Sequence, residues 1–469
     1  MIRHARFTPL LLAIALTGCV NLAPDYQRPE APIPDQWQGE ISEPTAPATV
    51  LSSLDSFVLD ARLKQIIEQS LVNNRDLRVA ALNVATARAQ YRVQRADEYP
   101  AVTGTASGTH SRTAQQTGSG TASTSHEYSV MPSLSFEVDL FGRLQNLSDA
   151  ALESYLALDE TRRSTQISLV AEVATAWLTL AADRELLQLA KDTLASQQAT
   201  YQLQQRSHAL GNTSGLELAQ AQTTVESARV DVATYQSQVQ QDINALQLLV
   251  GAPVDDSLLP QALEADSAEL AALPNNLPSS LLQQRPDVLA AEHTLKAANA
   301  DIGAARAAFF PSISLTGSAG TASSDLAGLF KAGSGAWSFV PSISVPIFNA
   351  GANRASLEAA KSERDAQLAT YEKTIQTAFS EVADALAVRS TLQERLEAQQ
   401  ALTDATARSY ELADALYRNG ASSYLDALDA QRSLYSARQS LISLRLTEQS
   451  NRITFYKALG GALSAPGES

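Results

Sequence analysis

The sequence predicts an α+β membrane protein built from a duplicated unit, each copy a pair of β-strands followed by long antiparallel helices. Three observations predict it. Identical residues recur at a fixed offset of 209 positions. Two stretches of 67 residues, 143–209 and 352–418, contain neither proline nor glycine. Two shorter segments alternate apolar and polar side chains with a period of two, as strands with unlike faces do.

Taken in chain order, residues 1–18 read as a signal peptide. Arg3, His4 and Arg6 precede an apolar run from Leu10 to Leu16, too short for a bilayer, which needs ~20 apolar residues. No other run approaches that length, so no membrane-spanning helix is expected. Leu16-Thr17-Gly18-Cys19 follows at the expected cleavage distance. It looks like the bacterial lipobox, which implies cleavage before Cys19 and acylation of its sulfur and new amino group. Several acyl chains anchor far more firmly than one, at about 0.8 kcal/mol per buried CH2. Cys19 is the only cysteine, and a leftover buried thiol is the plain alternative. Residues 19–53 form the lipid anchor and a strap, in which Pro24, Pro29, Pro32, Pro34, Pro44 and Pro47 exclude helix.

The first repeat is placed at 54–251, the inter-repeat linker, an equatorial region, at 252–279, the second repeat at 280–461 and a tail at 462–469. Pro132 and Pro341, Gly142 and Gly351, Tyr201 and Tyr410, Gly211 and Gly420, Leu216 and Leu425, and Gly251 and Gly460 all keep the 209 spacing. Each repeat opens with a helical stretch, about 58–98 and 280–308, stopped by Pro100 and Pro311. Strands follow within about 99–140 and 309–348. In Tyr128–Leu140 most even positions are apolar; in Trp337–Ile347 the odd ones are. Each 67-residue stretch then makes ~100 Å of helix. Gly211 and Gly420 turn the chain, and return helices run about 213–250 and 422–459.

One chain supplies only four strands, too few to close a barrel, and an open edge cannot face lipid. Two chains would give eight strands, whose interior side chains fill. Three give a trimeric twelve-strand β-barrel with room for a lumen. Ser, Thr, Glu137 and Asp139 would face water, and Val, Leu, Ile and Phe lipid. Tyr99, Phe141, Phe309, Phe310 and Phe348 fall where strands meet helices and suit an aromatic girdle. The helices would continue the barrel as a helical tube, with apolar heptad-like positions at Leu425, Leu428, Tyr435, Ile442 and Ile453. A water-soluble antiparallel sheet with one wet face is the simpler reading of the strands alone.

Acidic residues outnumber basic ones 50 to 35, a net charge of -15. Nucleic acid is therefore no expected partner, since phosphate binding needs a basic stripe. His4, His110, His126, His208 and His293 lie in unrelated segments, and no two share a helix at metal-ligand spacing. No phosphate loop or nucleophile elbow is present. No enzymatic activity, cofactor or metal is expected.

Several motifs carry a family likeness. The lipobox followed by Ala23-Pro24-Asp25-Tyr26-Gln27-Arg28-Pro29 resembles the mature start of OprM-like outer-membrane efflux lipoproteins of the TolC superfamily. Tyr417 to Arg432, Arg-Asn-Gly-Ala-Ser-Ser-Tyr-Leu-Asp-Ala-Leu-Asp-Ala-Gln within it, resembles their periplasmic tip. Arg285-Pro286-Asp287-Val288 and Lys457-Ala458-Leu459-Gly460-Gly461 resemble the start and end of their second repeat. The likeness covers residues 16–461. It implies a lipid-anchored homotrimer in the outer membrane, continuing into a periplasmic α-helical barrel. Its function would be the exit duct of a tripartite resistance-nodulation-division pump, passing drugs or other small molecules. A periplasmic adaptor protein and an inner-membrane transporter would dock below.

The resemblance also implies a gate near the tip. Leu425 would be an apolar constriction, Asp429 a carboxylate ring with Asp426 a second candidate, and Arg432 a tether between helices. Glu217 and Tyr417 match partners in such tethers. Three copies of Asp429 about a three-fold axis would repel one another and could hold a cation. Asp426 and Asp429 are equally the acids that a helix N-terminus attracts through its dipole. The turns Leu210-Gly211-Asn212 and Arg418-Asn419-Gly420 would be the adaptor contacts, with plain loops as the alternative. Two other functions share parts of this reading: the channel of a type I protein secretion system, and a structural periplasmic coiled-coil lipoprotein. The latter needs neither the strand pairs nor the duplication.

Overall fold

A computed structural model describes residues 20–35, 37, 57–113, 122–263, 270 and 278–461. The signal segment, Cys19 and the tail 462–469 lie outside the described residues, as do parts of the strap and of the inter-repeat linker. Two compact units form, one from Met1–Glu30, Leu82–Asp159 and Ala290–Glu372, the other from Ala31–Ala81, Glu160–Leu289 and Lys373–Ser469. The predicted repeats are stretches of sequence, and each unit draws on both.

The described helices are α1 (Ala61–Asn73), α2 (Arg75–Ala96), α3 (Arg143–Ala209), α4 (Gly215–Val250), α5 (Pro286–Ala307), α6 (Ala352–Arg418) and α7 (Tyr424–Ala458). The strands are β1 (Ala101–Thr113) and β2 (Ser123–Val138) between α2 and α3, and β3 (Ser312–Ser323) and β4 (Gly335–Ser344) between α5 and α6. The helix expected over 58–98 is broken at Asn74. That residue is extended and serves both neighbours. Its side chain accepts from the Leu77 N–H at 2.9 Å and donates to the Leu249 carbonyl at 2.7 Å. Asp60 caps the start of α1, accepting from the Arg62 and Leu63 N–H groups.

In the first unit the four strands form one antiparallel sheet in the order β1-β2-β3-β4. The register decides its faces. Thr103 lies opposite Ser133, Ser133 opposite Ser318, and Ser318 opposite Ser338. One face is therefore a hydroxyl lattice, knitted by cross-strand bonds such as Ser107–Ser129 at 2.9 Å and Ser318–Ser338 at 2.8 Å. The same register gathers Val102, Leu134, Phe136, Ile313, Leu315, Trp337 and Ile343 on the other face. That face is uncovered in the chain: Trp337 is 80% exposed and Ile343 67%. Gly320 runs so close to β2 that any Cβ there would meet the Val130 carbonyl oxygen at 2.2 Å.

Glu137 and Asp139, expected to face water, are engaged at the base of β2. Glu137 takes the Arg143 guanidinium through both oxygens, at 2.9 and 2.8 Å. Asp139 accepts from the Arg143 and Gln145 N–H groups and so caps α3. Among the girdle aromatics, Phe141 stacks on Phe310 at 4.6 Å, and Tyr99, Phe309 and Phe348 are exposed.

The strap is pinned along this unit. The Val20 N–H donates to the Leu140 carbonyl, and the carbonyls of Leu22 and Pro24 accept from Arg306 and Asn299. Tyr26 and Arg28 both reach Glu292, which Lys296 also contacts.

The second unit has its core around Trp177, fully buried, whose Nε1 donates to the Leu258 carbonyl at 3.1 Å. Leu63, Ile66, Ile67, Leu178, Leu180 and Leu246 are also wholly buried, each stabilising by roughly 1.5–3 kcal/mol. Contrary to the sequence reading, α3 contains a stretch long and apolar enough to cross a membrane. More than half of it is buried inside the protein, as a core helix would be.

Candidate functional site

The predicted site residues fall at one end of the second unit, on two hairpins of the same construction. At the end of α3, the N–H of Gly211 donates to the His208 carbonyl and that of Asn212 to the Ser207 carbonyl. At the end of α6, Gly420 donates to Tyr417 and Ala421 to Leu416 in the same pattern. Both are Schellman ends, and both need glycine, since φ is +80° at Gly211 and +74° at Gly420.

Two residues further on, a serine opens each return helix. Ser214 caps α4 with Glu217 as its reciprocal partner, and Ser423 caps α7 with Asp426. The Asp426 carboxylate accepts from the Ser423 N–H at 3.1 Å and the Ser423 hydroxyl at 2.8 Å. Glu217 likewise accepts from the Ser214 N–H at 3.2 Å. Two of the predicted site acids are thus held by the caps of their own helices.

Leu425, Asp429 and Arg432 differ from these. They follow one another at i, i+4 and i+7 along α7, so they share one stripe of the helix. All three are exposed. Among the described residues Asp429 and Arg432 make no hydrogen bond or ion pair. Leu210, Gly211, Asn212, Arg418, Asn419 and Gly420 are exposed at the turns, and Arg418 is tied to Asp414 at 2.8 Å.

Behind the stripe lies a polar network that the sequence reading missed. Buried Gln197 donates to Gln431 at 2.7 Å and accepts from the Thr224 hydroxyl at 2.8 Å. Gln431 donates in turn to Ser196 at 3.2 Å. Gln204, also buried, donates to the Tyr417 hydroxyl. Tyr424 and Leu428 pack on Ala221, with Tyr201 and Tyr417 against them. Burial pushes the Tyr424 pKa up. A groove of about 330 Å3 beside this cluster is lined by Tyr410, Asp414, Tyr417, Tyr424, Leu428 and Gln431. Gln431 stands 209 positions after Gln222, in step with the repeat, but nothing in the sequence distinguished a buried amide from an exposed one.

Among the described residues no three His, Cys, Asp or Glu side chains gather as a metal site.

The chain is 50% identical over 465 residues to the probable efflux pump outer membrane protein TtgC of Pseudomonas putida, covering 97% of this chain and 96% of that protein. It is 45% identical over 460 residues to the cation efflux system protein CusC of Escherichia coli, covering 97% and 99%. The open state of the MtrE outer membrane channel of Neisseria gonorrhoeae superposes with a TM-score of 0.84 at 36% identity, over 96% of this chain and all of that one. The family model for outer membrane efflux proteins matches twice, over residues 66–252 and 277–461. The chain belongs to the outer membrane efflux protein family.

Proposed function

We propose that three copies of this chain assemble into one duct through the outer membrane and periplasm, the exit of a tripartite efflux pump. The observation that carries it is the four-stranded sheet. Its outer strands β1 and β4 have no partner on their free edges among the described residues. One of its faces is apolar and exposed, and the other is lined with hydroxyls. In water such a sheet would aggregate. In a bilayer it is stable only if its edges are closed. Joining β4 of each copy to β1 of the next gives twelve strands, with the apolar face toward lipid and the Ser/Thr face toward a wet lumen. From Val102 to His110 the chain rises ~27 Å at about 3.4 Å per residue. With the usual tilt this approximates the ~25 Å apolar band of outer-membrane barrels.

The tip would close the duct at rest. Leu425 supplies an apolar ring, Asp429 a carboxylate ring one turn on, and Arg432 a cross-subunit partner. Their shared exposed stripe supports these roles, as does the lack of hydrogen-bond or ion-pair partners for Asp429 and Arg432 among the described residues. Tyr417 packs at the base of the hairpin that carries the stripe, Glu217 holds the cap of α4 in the neighbouring hairpin, and Asp426 acts through the cap of α7. The turns at Leu210-Gly211-Asn212 and Arg418-Asn419-Gly420 would meet the adaptor, and the transporter would deliver the cargo. Relatives named for efflux pumps and for a cation efflux system favour small molecules or ions over secreted protein as that cargo. Cys19, acylated, would add the lipid anchor. The duplicated order of elements and the two family-model matches support the repeat boundaries near 54–251 and 280–461.

Native mass measurement and planar-bilayer recording of the detergent-extracted protein test this together. A trimer giving discrete conductance steps is expected. A stable monomer that conducts nothing would overturn the proposal.

A further inference from the structure

The strand register brings together two histidines that the sequence keeps apart. His110 on β1 lies directly opposite His126 on β2, at the hairpin end remote from the helices. Their Nδ1 atoms approach to 2.5 Å and their rings meet edge-on, with centroids 4.7 Å apart. One Nδ1–H donating to the other ring's Nδ1 lone pair makes this contact in the chain alone, and a metal ion in place of that proton would bind the same two nitrogens.

We propose that His110 and His126 form a two-imidazole site for a borderline divalent transition ion, of the Cu2+, Ni2+ or Zn2+ class. Metal–imidazole bonds of ~2.0–2.1 Å set the two nitrogens roughly 3 Å apart. The pair therefore has to open by only about half an ångström, and both side chains are exposed in the chain, at the outer rim of the apolar face.

Tyr128 supports the arrangement. It lies opposite Gly108, and a Cβ there would meet the tyrosine ring at 3.3 Å, so the absent side chain leaves room for that ring. The Tyr128 hydroxyl sits 3.4 Å from His110 Nε2, with the two rings edge-on. When Nε2–H donates to that oxygen, Nδ1 is left as the free ligand atom. An outer partner on the second ring nitrogen is the usual device for orienting a metal-binding histidine. Glu127 alternates to the opposite face of β2, so nitrogen dominates the ligand set. That chemistry selects copper, nickel or zinc over calcium or magnesium. A bound ion would staple β1 to β2 at this end of the sheet.

Cu2+ titration of the full chain in detergent, followed by electron paramagnetic resonance, tests the site. The expected result is one Cu2+ per chain, with hyperfine splitting from two imidazole nitrogens. Either His110→Ala or His126→Ala should weaken binding at least tenfold and leave one nitrogen or none. His208→Ala and His293→Ala should leave both the affinity and the spectrum unchanged, and millimolar Ca2+ should not compete. His110, His126 and His208 are exposed and His293 is half-buried against Glu153, so heat-modifiable gel mobility verifies folding for each variant. Binding that neither His110→Ala nor His126→Ala reduces would overturn the proposal, as would absence of binding by the unmodified chain.

Discussion

Asp426 and Asp429 stand three residues apart, yet their surroundings assign them different work. Asp426 returns its carboxylate to Ser423, whereas Asp429 makes no hydrogen bond or ion pair among the described residues. Asp429→Asn should therefore raise the resting conductance several-fold while leaving stability within about 0.5 kcal/mol, as for other surface substitutions. Asp426→Ala should remove half of a capping box and destabilise the start of α7 by about 1 kcal/mol, with a smaller rise in conductance through a loosened tip. Bilayer recordings of both variants check this; unchanged conductance in both would remove the gate assignment. Glu292 provides a pH-dependent test of the strap. Burial alone would raise its pKa, but hydrogen bonds from Arg28 and Lys296 outweigh burial and hold it below the usual value. The stabilisation is thus fully present above ~4.3, the ordinary glutamate value, and is lost as pH falls through the lowered folded value. Glu292→Gln should cost about 1–2 kcal/mol at pH 7, discounted because Arg28 is partly exposed. The difference should narrow as the pH is lowered below ~4.3 in thermal unfolding curves.

At the scale of elements, the long helices were legible because proline and glycine punctuate the chain only where it turns. The 67-residue runs are α3 and α6, and the glycines that end them are held in Schellman turns. The two strand faces were legible from alternation at Tyr128–Leu140 and Trp337–Ile347. The break at Asn74 was not, because an asparagine inside a helical pattern is unremarkable until Leu249 supplies its carbonyl. The glutamine network was hidden for a related reason. Gln197 looks solvent-facing until Thr224 of α4 and Gln431 of α7 bond to it, and Gln204 until it reaches Tyr417 of α6. The pairing of His110 with His126 depends on strand register, which separation along the chain does not reveal. Another pairing invisible in the sequence joins α3 to α4. Burial, with the hydrogen bond and charge of Asp242 added, pushes the Asp183 carboxyl up to about 7. The folded chain then holds a proton that the unfolded chain has released, so stability falls as pH rises from ~3.9 to about 7 and is level above it. Asp183→Asn should abolish that slope, making the variant more stable than the parent at pH 8 and little different at pH 4. Denaturant midpoints at the two values provide the measurement.

For the whole molecule, everything turns on what completes the sheet. The hydroxyl face, the exposed apolar face and the two free edges call for partners that the described residues of one chain do not supply, and the MtrE structure it resembles is that of an outer membrane channel. Cysteines placed at Ser107 on β1 and Ser338 on β4, joined by a short bis-maleimide in intact cells, test this most directly. The only native cysteine, Cys19, is expected to be blocked by acylation. A twelve-strand barrel predicts cross-linking between chains that needs both cysteines and ends in a closed covalent trimer. Monomer alone, a dimer end point or an open ladder beyond three chains would contradict it.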